Sequence, residues 1–257
     1  MATEIDRSGT PLIELRNMQK AFGGIRAVDN VSIDLYPGEV VGVLGHNGAG
    51  KSVLMKMVSG ALPRDSGDIL INGEKAEINH PLDARRYNIE TIYQYLALAD
   101  NLDAASNLFL GRELVTPLGL VDDAAMEAET RKIMGRLTPN FRRFSTPVAG
   151  LSGGQRQSVA ISRAVYFNAK ILIMDEPTAA LGVEETAMVA ELIDELKKQG
   201  IGIFLIDHDI HQVKNLCDRA SVMKNGKLVG TVEVDKVSED DILGMIILGK
   251  NPEAAAA

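Results

Sequence analysis

The sequence predicts an α/β fold in which a β-rich opening leads into a core that a helical insertion interrupts, and three observations carry that reading. First, the apolar run Val40–Leu44 meets a glycine-rich loop over 45–52 and then a helix-like stretch over 53–59, giving strand, loop and helix in succession. Second, apolar residues alternate between Leu12 and Leu35, with breaks at Gly23-Gly24 and Asp29-Asn30, as short antiparallel strands require. Third, the middle of the chain turns to helical spacing over 104–110, 122–137 and 153–168.

The remaining elements follow in order. A strand over 69–71 runs into Asn72-Gly73, a pair suited to the tight turn of a hairpin, and a short strand over 90–93 ends at Gln94. After the helical insertion the core resumes with the apolar strand 171–174. A helix over 183–198 follows, closed by Gly200, then a strand over 201–206 and a helix from Asp209. A second hairpin over 220–229 turns at Asn225-Gly226, residues 254–257 read as a frayed end, and no internal repeat is found.

Composition narrows the function classes. With 257 residues, 46% hydrophobic and 24% charged, the chain can bury a full core, and no stretch approaches the roughly 18 apolar residues of a membrane span. The first residues lack the basic and apolar regions of an export signal, so the expected location is cytoplasmic. The single Cys217 cannot form an internal disulfide and has no metal-binding neighbours. A formal net charge of −8 argues against broad attraction to nucleic acid, and Arg142-Arg143 reads as a solvated face.

The loop Gly45-His46-Asn47-Gly48-Ala49-Gly50-Lys51-Ser52 has the pattern G-x-x-x-x-G-K-[ST]. Its glycines let the chain fold tightly enough to aim backbone N–H groups at a phosphate, and the helix that follows adds partial positive charge. Lys51 supplies a full charge and Ser52 an oxygen for magnesium. Three more segments occur once each and in order: Leu151-Ser152-Gly153-Gly154-Gln155, the strand end Asp175-Glu176, and the strand end near His208. The pentapeptide alone should arise by accident in well under about one chain in a thousand, so the set is read as one machine.

On these residues the chain resembles the nucleotide-binding subunits of ABC transporters over about 12–249. The resemblance implies a P-loop NTPase (RecA-like) core with an antiparallel β subdomain and a helical signature-motif subdomain. The core would take 12–95 and 161–249, the helical part 96–160, and 1–11 and 250–257 would be flexible tails. It implies that Phe22 stacks on adenine and that residues 45–52, with Val53, form the Walker A loop around ATP. It makes Gln94 the Q-loop glutamine, residues 151–155 the signature, 171–176 Walker B and His208 the switch histidine.

Chemistry agrees with these roles. Lys51 would sit between the β- and γ-phosphates, and Ser52 and Asp175 would hold Mg²⁺. Glu176 would orient or deprotonate the attacking water, while Gln94 would contact both metal and water. Ser152, Gly153, Gly154 and Gln155 make a second anion-binding helix start, which one chain has no use for alone. The family's answer is a head-to-tail pair, a homodimer or a pairing with a different ATPase chain, in which the signature of one member closes over the ATP of the other. The stretches Ile92-Tyr93-Gln94 and Asn107-Leu108-Phe109-Leu110-Gly111-Arg112-Glu113 look most like importers of ribose, xylose or fructose. Two integral membrane permease subunits and an extracytoplasmic sugar-binding protein are the implied partners, with this chain peripheral on the cytoplasmic face of the membrane.

Three positions depart from the family pattern. Val53 stands where a second hydroxyl is common, Gly182 where the D-loop usually has aspartate, and Asp207 where a small hydroxyl residue is usual. Weaker nucleotide binding, altered coupling and an altered pH profile are the respective expectations. Rival readings are an ABC importer of another cargo such as branched-chain amino acids, a soluble ABC ATPase, and a P-loop kinase. A coiled-coil insertion or basic surface would favour the second, and the signature has no use in the third.

Overall fold

A computed structural model describes residues 5, 7–179 and 181–250. In chain order the elements are β1 (Ile13–Phe22), β2 (Ile25–Leu35), β3 (Val40–Leu44), α1 (Lys51–Val58), β4 (Ser66–Ile71), β5 (Glu74–Ala76), α2 (Pro81–Arg86) and β6 (Ile89–Ile92). Then come α3 (Ala104–Phe109), α4 (Asp123–Leu137), a 3₁₀ turn (Val148–Gly150) and α5 (Gly153–Tyr166). The chain finishes with β7 (Ile171–Asp175), α6 (Val183–Lys198), β8 (Gly202–Ile206), α7 (Ile210–Leu216), β9 (Arg219–Lys224), β10 (Lys227–Glu233) and α8 (Glu239–Leu248). Two compact units result: one from Met1–Thr91, Lys170–Glu176 and Leu196–Ala257, the other from Ile92–Ala169 and Pro177–Glu195.

The first unit holds both sheets. A six-stranded sheet has the order β10-β9-β3-β8-β7-β6, with β3 parallel to β8 and β9, and β7 parallel to β8. Every residue of β3 and β8 is buried, which is why these strands read as continuous apolar runs rather than alternations. A four-stranded sheet, β2-β1-β4-β5, is antiparallel throughout. Its inward residues Ile13, Leu15 and Ile69 join Val41, Val43, Leu54, Ile173 and Phe204 in one hydrophobic cluster. Both hairpin turns have the positive φ pairs their sequence calls for, Asn72 (50°) with Gly73 (82°) and Asn225 (49°) with Gly226 (80°).

Several expectations are corrected here. Asp29-Asn30 does not break the strand: β2 runs through it, with Asn30 at φ 57° and shifts of register against β1 that absorb the irregularity. Within the segment 1–11, the Arg7 guanidinium donates to the buried Glu39 at 2.8 Å and to Glu233 at 3.1 Å. Of the tail expectations, 1–4, 6 and 251–257 lie outside the described residues. Helices α2 and α8 were not anticipated, although Ser238 and Asp241 make a capping box for the latter. Cys217 is buried, and burial pushes its thiol well above the ordinary value.

In the second unit α3, α4 and α5 carry a cluster in which Phe109, Tyr166 and Phe167 meet edge to face at 4.8 to 6.2 Å. Buried Asn107 ties down the segment before α3: its Oδ1 accepts from Ala99 N–H, and its amide donates to the carbonyls of Ala99, Leu102 and Asp103. The sequence-based boundary at 160/161 falls inside α5, a continuous helix that belongs whole to this unit, and the first turns of α6 belong with it.

Candidate functional site

The first unit gathers most of the candidate residues at one end of the six-stranded sheet. In parallel strands the carboxyl ends lie together, and here β8 separates β3 from β7. Register puts Val43, Ile206 and Asp175 in one row across the three strands. The residues just beyond them are Gly45 to Ser52, His208, and Glu176.

The loop after β3 is shaped by positive φ at Gly45 (147°), Gly48 (83°) and Gly50 (104°). A Cβ at Gly50 would lie 2.2 Å from the Ala27 carbonyl oxygen, and one at Gly45 would lie 2.3 Å from that of Met223. The loop is therefore packed from beneath by backbone, and Gly226 N–H donates to Ala49 O at 3.0 Å to fasten it. Gly48 has nothing within 4 Å of a Cβ position, so the loop is open on that side. Asn47 and Gly48 are exposed and Ala49 is buried. Lys51 is only 9% exposed, and its Nζ donates to Gly45 O at 2.7 Å and His46 O at 3.3 Å. Burial lowers the Lys51 pKa, against the opposing pull of Glu176 and Asp175. Ser52 is exposed at the start of α1, whereas Val53 packs half-buried against the core. Phe22, at the end of β1, is 49% exposed, and the Lys20 ammonium lies over its ring 5.6 Å from the centre.

Glu176 shows a feature that sequence reasoning missed. Its φ is 48°, a left-handed conformation that costs a residue with a Cβ about 1–3 kcal/mol and that clusters at functional sites. Its N–H is held by Ile206 O at 2.9 Å, and its Oε1 lies 2.9 Å from His208 Nδ1. The two acidic neighbours of His208 do not both flank its ring. Asp209 caps α7, accepting from the N–H groups of His211 and Gln212, and buried Asp207 accepts from those of His208 and Asp209. Asp207 approaches the imidazole to 3.9 Å, farther than Glu176 does.

Burial, and after it the Glu176 carboxylate, raise the pKa of Asp175, while Lys56 and Lys51 lower it. The folded chain therefore holds this proton more tightly than the unfolded chain. The group favours the fold at low pH, and that contribution is lost as pH rises through the raised folded value. At neutral pH the charge is a liability to the fold. Replacing Asp175 with Asn is expected to raise the thermal midpoint at pH 7. The gain should shrink as pH falls through the raised folded value and vanish below ~pH 4, where the carboxyl is protonated in both the folded and the unfolded chain. Calorimetric scans of both proteins across that range check the sign.

In the second unit Gln94 is exposed just past β6, between exposed Tyr93 and Tyr95. Ser152 is the N-cap of α5: its N–H donates to Gln155 Oε1 at 3.1 Å and its Oγ accepts from Gln155 N–H at 3.4 Å. A Cβ at Gly153 would approach Leu181, just before α6, to 2.4 Å, and one at Gly154 would approach Glu185, in the first turn of α6, to 3.3 Å. Gly182 has open space around its Cβ position.

Lys51, Ser52, Asp175, Glu176 and His208 thus lie on one sheet end, with a backbone cradle for phosphate and oxygen donors of the kind a hard cation takes. Among the described residues no group of three or more His, Cys, Asp or Glu is arranged to hold a metal, and no helix is long and apolar enough to cross a membrane. Ser52 and Asp175 fit a magnesium ion that takes its remaining ligands from phosphate and water.

Residues 28–179 match the protein family described as ABC transporter. The chain is 43% identical over 247 residues to a xylose/arabinose import ATP-binding protein of Sulfolobus acidocaldarius, covering 93% of this chain and 98% of that one. It is 42% identical over 244 residues to a ribose import ATP-binding protein of Burkholderia ambifaria, covering 93% of this chain but spanning only 47% of that relative's length. Its fold is similar, with a TM-score of 0.79 at 26% identity, to the ADP conformation of an ATP-binding cassette of an ABC transporter, over 96% of this chain and 97% of the other.

Proposed function

This chain belongs to the ABC transporter family as an ATP-binding, ATP-hydrolysing cassette, and from that premise we propose that it energises import of a monosaccharide. The observation that carries the catalytic reading is the order β3-β8-β7, which brings the phosphate loop, His208 and Asp175-Glu176 to one sheet end. Import of a sugar is supported by the names of the xylose/arabinose and ribose relatives.

In this reading Lys51 leaves the Gly45 and His46 carbonyls for the β- and γ-phosphates, while the N–H groups of residues 45–50 cradle the chain of phosphates. Phe22 stacks on adenine. Ser52 and Asp175 would hold Mg²⁺, which when bound would neutralise phosphate charge, and Gln94 is the further ligand that the family resemblance assigns to it. Glu176 orients and deprotonates the attacking water, and His208 holds the Glu176 carboxylate in place through its 2.9 Å contact. Ser152, Gly153, Gly154 and Gln155 serve a second copy's ATP in a head-to-tail homodimer. Two permease subunits dock beside the Gln94 loop, and a sugar-binding protein acts through them from the far side of the membrane.

The test is reconstitution of the full chain with its permease in vesicles. Sugar-loaded binding protein is expected to accelerate phosphate release and to drive sugar uptake. Uptake of a branched-chain amino acid with no response to any monosaccharide would replace this reading with its nearest rival. At Val53, a hydroxyl would add one hydrogen bond to nucleotide, about 1 kcal/mol. Val53→Thr is therefore expected to tighten ATP binding about fivefold with kcat unchanged, read by calorimetric titration. An unchanged affinity would overturn the reading of Val53 as a missing hydrogen bond to nucleotide.

A further inference from the structure

The glycines of the signature lie against an acidic side chain of the following segment. Glu185, in the first turn of α6, has Oε2 3.3 Å and Oε1 3.6 Å from where a Gly153 Cβ would stand. Its own Cβ is 3.3 Å from the corresponding position on Gly154, and its Oε2 accepts from the Gly182 N–H at 3.2 Å. The Gly182 N–H, then the Ser152 hydroxyl, then the N–H groups of Gly154 and Gly153, hold this carboxyl below its ordinary range, so it is ionised at neutral pH. Of these, Ser152, Gly153 and Gly154 are the residues assigned above to the ATP of a second copy. A carboxylate and a phosphate cannot share them without repulsion, because both are anions and each needs the same donors.

We propose that Glu185 is an internal anion that occupies the signature and must be displaced before the ATP of the partner copy can engage it, so that this residue sets the ATP concentration at which the dimer closes. The inference rests on the head-to-tail reading above. It also gives Gly182 a part: its N–H anchors the carboxylate, and its open Cβ position leaves the displaced side chain room to swing.

The measurement is the ATP concentration for half-maximal dimerisation of the full chain, by light scattering, in a Glu176→Gln background that retains ATP. Adding Glu185→Gln keeps an amide oxygen for the Gly182 N–H but removes the charge, and the half-point is expected to fall on the order of tenfold. Glu185→Ala, which removes both, should lower it as well, whereas a residue needed only to brace the loop would raise it. A half-point equal to or above that of Glu176→Gln alone overturns the inference and leaves the proposed function standing. Absence of any ATP-driven dimer with Glu176→Gln alone overturns both.

Discussion

Glu176→Gln is expected to lower ATP hydrolysis by at least about 100-fold while leaving ATP affinity within about twofold, since removing a positioned general base typically costs 10²–10⁴ in rate. The physical basis is local. Glu176 follows a buried strand, adopts φ 48°, and is fixed by Ile206 O on its N–H and by His208 Nδ1 on its carboxylate. Gln preserves the size of the side chain and can still meet the histidine, but it cannot accept a proton from water. Phosphate release under single-turnover conditions, alongside equilibrium binding of a labelled nucleotide, separates the two quantities. Hydrolysis within tenfold of the parent would assign the base elsewhere.

Gly50→Ala is expected to abolish ATP binding and to destabilise the chain by about 3 kcal/mol, combining strain at an unfavourable φ with backbone displacement. The residue has φ 104°, and the new methyl would meet Ala27 O at 2.2 Å, a backbone atom that cannot swing aside. Gly48→Ala is the control. Its φ of 83° also disfavours a side chain, but nothing lies within 4 Å, so only the conformational cost remains. Denaturant titration should therefore rank the two variants with Gly50→Ala clearly the less stable. Equal losses would mean that φ alone, not the Ala27 contact, governs the loop.

Much of this site was legible in the chain because its parts are short and locally encoded. Phosphate cradles need glycine where φ is positive, and buried parallel strands need unbroken apolar runs, so Gly45 to Ser52 and 171–174 declared themselves. The hairpins turned where Asn-Gly pairs stood. The apolar residues of helix α8 form no clear stripe, and its signals are confined to its ends: the Ser238 cap, the acidic first turn Glu239-Asp240-Asp241 and the left-handed Gly249. The environment of His208 is not legible in its sequence neighbours for another reason: Asp209 is claimed by a helix N-cap, and the nearest acid, Glu176, comes from the end of another strand.

By itself the sequence determined the family, through the glycine-rich loop Gly45 to Ser52, the run Leu151 to Gln155 and the acidic strand end Asp175-Glu176, each a stretch of adjacent residues that is legible without its distant partners. Tertiary structure decided who meets whom. Chain order is β3, β7, β8, but hydrogen bonding inserts β8 between the other two, and that alone brings His208 to Glu176. It likewise set the left-handed backbone of Glu176 and the contact of Glu185 with the signature glycines. Such contacts join residues 30 or so positions apart, and a linear pattern carries no record of the strand pairing and helix packing that create them.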